Sequence, residues 1–150
     1  MRTRRSAGTL LAAMDAHSKT TAQKTLWSAA GEAFVELVRL VRVLPGIELK
    51  RLSRGPMPLV EELRARAQAA PRRPADRRAR LRRLIAALDR RMPGGANCYR
   101  RVLLEISLDR GAAEEPVHIG LRSNGGPRSG HAWLGENRDT AERYDAEIAV

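Results

Sequence analysis

The 150 residues contain one cysteine, Cys98, and three histidines, His17, His118 and His131. A single thiol makes no internal disulfide and no multi-cysteine zinc site. It is a packed apolar residue, a surface thiol or a nucleophile. A thiol attacks as the thiolate, and the start of a helix favours that form through its unpaired N–H groups and its dipole. Cys98 follows the breaker Pro93-Gly94-Gly95-Ala96 and heads the aliphatic run Val102, Leu103, Ile106 and Leu108, which is such a position. A nucleophile also needs a base, and the base a third group to orient it. His17 lies in a polar start, whereas His118 and His131 fall in extended segments. His131 is preceded by Gly130, which permits close approach, and shares a strand face with Trp133 two residues on. If strands 131–135 and 144–150 pair as a hairpin, Asp145 lies beside His131. Asp139 and Glu136, in the connection, also come within reach, Glu136 reading better as a solvated carboxylate. A Cys–His–acid triad and a merely packed cysteine both fit this spacing. No ligand spacing for a metal and no cofactor motif is visible.

These residues need elements to hold them. Apolar residues are 43% of the chain, enough for a core, and aromatics only 3%, so that core is aliphatic. The first 20 residues are polar and basic and read as a flexible start. Leu26, Ala30, Ala33, Leu37, Leu40, Val41 and Leu44 recur at helical spacing, with Thr20 or Thr21 as cap and Pro45-Gly46 as stop. A second helical region covers 47–70, broken at Gly55-Pro56-Met57-Pro58 and resuming at Leu59. After Pro71–Pro74, Asp76 stands where a cap belongs, and Leu81, Leu84, Ile85, Leu88 and Met92 form one apolar face. A fourth helix runs from Asn97 through Leu108 to Gly111.

Beyond Gly111 the period changes to that of strands: Val117–Leu121, the turn Asn124-Gly125-Gly126-Pro127, Gly130–Leu134, and Tyr144–Val150. Helices first and strands after make an α+β fold: amino-terminal helices, then a nucleophile helix packed on a small antiparallel sheet. The domain reading is a basic start over 1–20, a helical lead-in over 21–92, and a core over 93–150 that forms one compact unit with the helices.

The net charge of +11 predicts attraction to acidic partners. Nine arginines lie between Arg72 and Arg91, mostly opposite the apolar face of the third helix. Trp27, Phe34, Tyr99, Trp133 and Tyr144 are not interleaved with them, which argues against nucleic acid. No stretch approaches the roughly 20 apolar residues of a membrane span. The basic start before Ala7–Met14 is interrupted too early for a signal peptide, so the expected location is cytoplasmic.

Asn97-Cys98-Tyr99-Arg100-Arg101-Val102-Leu103-Leu104-Glu105, then Val117-His118-Ile119-Gly120-Leu121, then Gly130-His131-Ala132-Trp133-Leu134 resembles the leader peptidases of lasso peptide biosynthesis. These have the transglutaminase-like cysteine-peptidase fold, a papain-like core. The resemblance covers about residues 72–150 and implies Cys98 as nucleophile, His131 as base and Asp145, or else Asp139, as third member. The implied reaction is hydrolysis that separates leader from core in a ribosomally made precursor peptide. The helical pattern before Cys98 resembles the separate form of the enzyme, which works with a leader-binding recognition protein and precedes an ATP-using macrolactam cyclase. An acyl transferase with the same triad, and a basic binding protein with a packed cysteine, are the alternatives. The resemblance also gives the basic helix a role, docking an acidic partner or the leader through Arg77, Arg78 and Arg82.

Overall fold

The computed structural model describes residues 7–122, 129–135, 144 and 146–149. The chain divides into two compact units, Met1–Val38 and Arg39–Val150. In the first, the backbone is helical from Ala7 onward, with Phe34, Val35 and Leu37 exposed.

This helix, α1 (Ala7–Ser53), neither begins at a Thr20 or Thr21 cap nor stops at Pro45-Gly46. Leu40, Leu44 and Ile47 are buried on both sides of the proline along one face. Burying each is worth about 1.5–3 kcal/mol, and together they outweigh the roughly 3 kcal/mol that a proline costs inside a helix. Helix α2 (Pro56–Ala67) starts earlier than expected, with Pro56 in its first turn. There the missing N–H costs nothing, because first-turn N–H groups have no partner within the helix. The chain therefore breaks at Arg54 and Gly55 rather than across both prolines. Helix α3 (Ala75–Asp89) takes Pro74 as N-cap with no side-chain cap; Asp76 sits in the first turn as a charge rather than a cap.

Helix α4 (Cys98–Leu108) is the centre of the second unit. Asn97 caps it, its side chain accepting from the Arg100 N–H at 3.0 Å. Leu103, Leu104 and Ile106 are wholly buried, as befits a helix covered on several sides. It packs against α2, α3 and the short helix α5 (Arg110–Ala113). Gly111 thus lies inside α5 instead of stopping α4, and the break falls at Asp109, whose carboxylate accepts from the Gly111 and Arg73 N–H groups.

The sheet has three strands, β1 (Val117–Arg122), β2 (Ser129–Leu134) and β3 (Ala146–Ala149), in the order β2-β1-β3, all pairs antiparallel. The fold is α+β, as the element order implies. The turn at 124–127 lies outside the described residues. The second and third strands do not pair as a hairpin. One side of β2 is taken by β1, and on its other side the Cys98 sulfur engages Gly130 and Ala132, so β3 pairs with the free side of β1. Val117, Ala132 and Leu134 join the core with α4, while His118, Gly120, His131 and Trp133 alternate with them onto the opposite face.

Candidate active site

Cys98 is the first residue of α4, and what fixes it there is a buried carboxylate just upstream. Asp89 ends α3 with no exposure. Its Oδ2 accepts from the Asn97 N–H at 2.9 Å and from Arg101 Nε at 2.6 Å, and its Oδ1 accepts from Arg100 Nε at 2.5 Å. Asp89 thereby ties the end of α3 to the residues on both sides of Cys98. Burial would push this carboxyl up, but the Asn97 N–H and the two guanidinium groups prevail and hold it below the usual aspartate range. The residue was not singled out in the sequence, yet its spacing from Leu81 and Ile85 puts it on the apolar face of α3. A carboxylate on such a face signals a buried ion pair.

The sulfur is half-buried. Cys98 Sγ accepts from the Ala132 N–H at 3.3 Å and donates to the Gly130 carbonyl at 3.7 Å. These groups belong to the residues on either side of His131. The structure therefore brings Cys98 to the backbone at His131, but among the described residues no hydrogen bond joins the sulfur to the imidazole. The His131 ring is exposed and lies parallel to Tyr144, 6.4 Å between centroids, and near Trp133 at 5.7 Å. Trp133 in turn stacks on Tyr144 at 5.2 Å and on His118 at 5.3 Å. Register explains the ladder: His118 faces Trp133 across β1 and β2, and His131 is two residues from Trp133 on one strand.

His118 is half-buried. Its Nδ1 meets Glu147 Oε1 at 2.9 Å, and Glu147 and His131 both face Gly120 from opposite sides of β1. Asp145, Asp139 and Glu136 lie outside the described residues. His17 likewise falls where side chains are not described.

Cys98 opens on two cavities. The larger, about 340 Å³, lies between α3, α4 and β2, with Arg82, Ile85, Ala86, Arg101 and Trp133 among its walls. The smaller, about 300 Å³, is bordered by Asn97, Tyr99 and Ile119. Cys98, His131 and Ala132 are common to both. A chain laid through the two would pass the thiol in the middle. Arg78, expected to be available for docking, is turned inward against Glu105, Glu115 and Asp109. Hydrogen bonds to Glu115 and then Glu105 raise its guanidinium above the usual arginine range against the opposing effect of burial.

Among the described residues, no three of His, Cys, Asp and Glu gather as metal ligands, and no helix is long and apolar enough to cross a membrane. No curated protein and no solved structure matches the chain. A family model described as the transglutaminase-like superfamily matches residues 41–144. That span takes in α2, α3, α4, β1, β2 and the two cavities that meet at Cys98, and the chain belongs to the transglutaminase-like superfamily.

Proposed function

We propose that this protein is a cysteine peptidase that cleaves the leader from a ribosomally made lasso precursor peptide. The superfamily generally comprises cysteine peptidases and acyl transferases, and the segments around Cys98 and His131 resemble the lasso leader peptidases. The observation that carries the reading is the place of Cys98. It begins a helix, opens on two cavities shared with His131, and lies against the backbone on either side of that residue.

In this reading the Cys98 thiolate adds to the scissile carbonyl. N–H groups near the start of α4 stabilise the oxyanion. The C–N bond breaks as His131 protonates the departing amine, leaving an acyl-enzyme. His131 then takes a proton from water, which adds to the thioester and releases a carboxylic acid and the free thiol. For proton transfer the imidazole leaves its stack on Tyr144, or the thiol leaves the Gly130 carbonyl. Asp145 is the proposed third member, with Asp139 the alternative. A separate leader-binding protein presents the precursor, an ATP-using macrolactam cyclase follows, and the setting is cytoplasmic.

The test is to incubate the protein with a lasso precursor and its leader-binding partner and to weigh the products. Two fragments, with a free carboxylate at the cut, and none from Cys98→Ala, are the expected result. A new amide in place of the carboxylate would make the protein an acyl transferase. Unchanged processing by Cys98→Ala would remove catalysis from this site.

A further inference from the structure

The larger cavity beside Cys98 has apolar walls, Ile85, Ala86, Val102 and Leu134, and a charged mouth. The charges there are layered by sign. The acids are beneath: Asp89 is wholly buried and Glu105 is 8% exposed. The cations are above: the side chains of Arg82 and Arg101 are 45% and 39% exposed. Each meets its acid through Nε, Arg82 with Glu105 and Arg101 with Asp89. Among the described residues, the terminal Nη groups of both have no hydrogen-bond partner. An arginine held by Nε still presents its outer N–H groups to a second carboxylate. Arg83 and Arg90, both exposed, stand on the flank of α3 next to Ala86, so the positive surface continues outward from the mouth.

Resting on the reading of Cys98 as a nucleophile, we infer that this cavity takes the acidic stretch of a peptide substrate. An apolar side chain enters between Ile85, Val102 and Leu134, and a neighbouring Glu or Asp is held by Arg82 and Arg101. Arg83 and Arg90 attract the acidic residues further along. Arg82 and Arg101 are thus specificity residues for a segment beside the scissile bond.

The 150-residue chain has one thiol, so its alkylation rate reads the site without a known substrate. Rates with anionic iodoacetate and neutral iodoacetamide are compared by intact mass. The iodoacetate-to-iodoacetamide ratio is expected to fall between 0.05 and 0.5 M salt, probe concentrations held about constant. It should also fall about twofold for each charge removed at a separation of roughly 10 Å, hence about fourfold in Arg82→Gln/Arg83→Gln. Arg80→Gln, on the far flank of α3, should leave the ratio unchanged; an equal fall there would assign the effect to overall charge and overturn the proposal. In a second arm, two acetylated peptides of equal length, one with Glu where the other has Gln, protect Cys98 from iodoacetamide. The Glu peptide should protect at a concentration about fivefold lower; equal protection overturns the anionic site. A thiol that reacts with iodoacetamide but shows no charge dependence sinks this inference alone. A thiol inert in the folded protein and reactive in urea sinks the nucleophile reading, and this inference with it.

Discussion

Tyr144 lies flat over Gly120: a methyl group added at Gly120 would come within 2.5 Å of the tyrosine ring. The same ring stacks on His131 and on Trp133. The hydrogen of Gly120 is therefore what lets the ring settle beside the imidazole.

Gly120→Ala should lift Tyr144 off the sheet and unseat His131. Because the position needs no left-handed backbone, the loss comes from the clash alone. Peptide cleavage is expected to fall at least about tenfold, with a melting temperature lowered by only a few degrees. Gly120→Ala/Tyr144→Ala should recover part of the activity, since the second change removes what the first collides with. An unrecovered double variant, compared with Tyr144→Ala alone, would show that the ring does not carry the effect.

Asp89→Asn removes a buried charge but keeps its shape, leaving Arg100, itself 2% exposed, with only its longer pair to Glu48 at 3.6 Å. Breaking such a pair costs about 3–5 kcal/mol. Urea unfolding should show a loss of that order. A loss below about 1 kcal/mol would mean that water replaces the carboxylate.

Acidification should act through the same group. Asp89 is held below the usual carboxylate range despite its burial. Glu48 is lowered too, chiefly by its hydrogen bond from Arg51 and, against burial, with help from Arg100. A carboxyl of lowered pKa binds its proton more weakly in the folded chain, so acid favours unfolding. The stability these groups contribute is complete above their unfolded values of about 4 and is lost as pH falls through the folded ones. The urea midpoint should be level from about pH 7 to 5 and drop below about pH 4, less steeply in Asp89→Asn. An acid limb equally steep in the variant would place the sensitive groups elsewhere.

Cys98→Ala should separate chemistry from folding. The thiol is half-buried and its contacts to Gly130 and Ala132 are long. The cost to stability is expected to be about 1 kcal/mol or less, read from urea unfolding, whereas cleavage falls by about a thousandfold or more.

The helix around Cys98 was legible because everything that makes it is local. Asn97 caps it, Pro93 to Gly95 precede it, and Val102, Leu103 and Ile106 supply its apolar faces. Pro45 reads as a stop in the sequence because a proline's cost is local, while the burial of Leu40, Leu44 and Ile47 that overrides it is not. The sheet order was hidden for a related reason. Sequence neighbours suggest hairpins, but whether β3 reaches β2 or β1 depends on which border α4 has already claimed. Likewise the sequence places the arginines of α3 mostly opposite its apolar face without separating them. Only the fold shows Arg78 turned to Glu105, Glu115 and Asp109, and Arg82 left at a cavity mouth.

The contact between Cys98 and β2 has a consequence beyond reactivity. The rim of a small sheet is a ready docking rail for stray chains, since its amides and carbonyls lack mates. Here the Gly130 carbonyl and the Ala132 amide, in the middle of that rim, are both occupied by sulfur. The sulfur at the head of α4 is thus also a stopper on the rim by which β2 could recruit a neighbour.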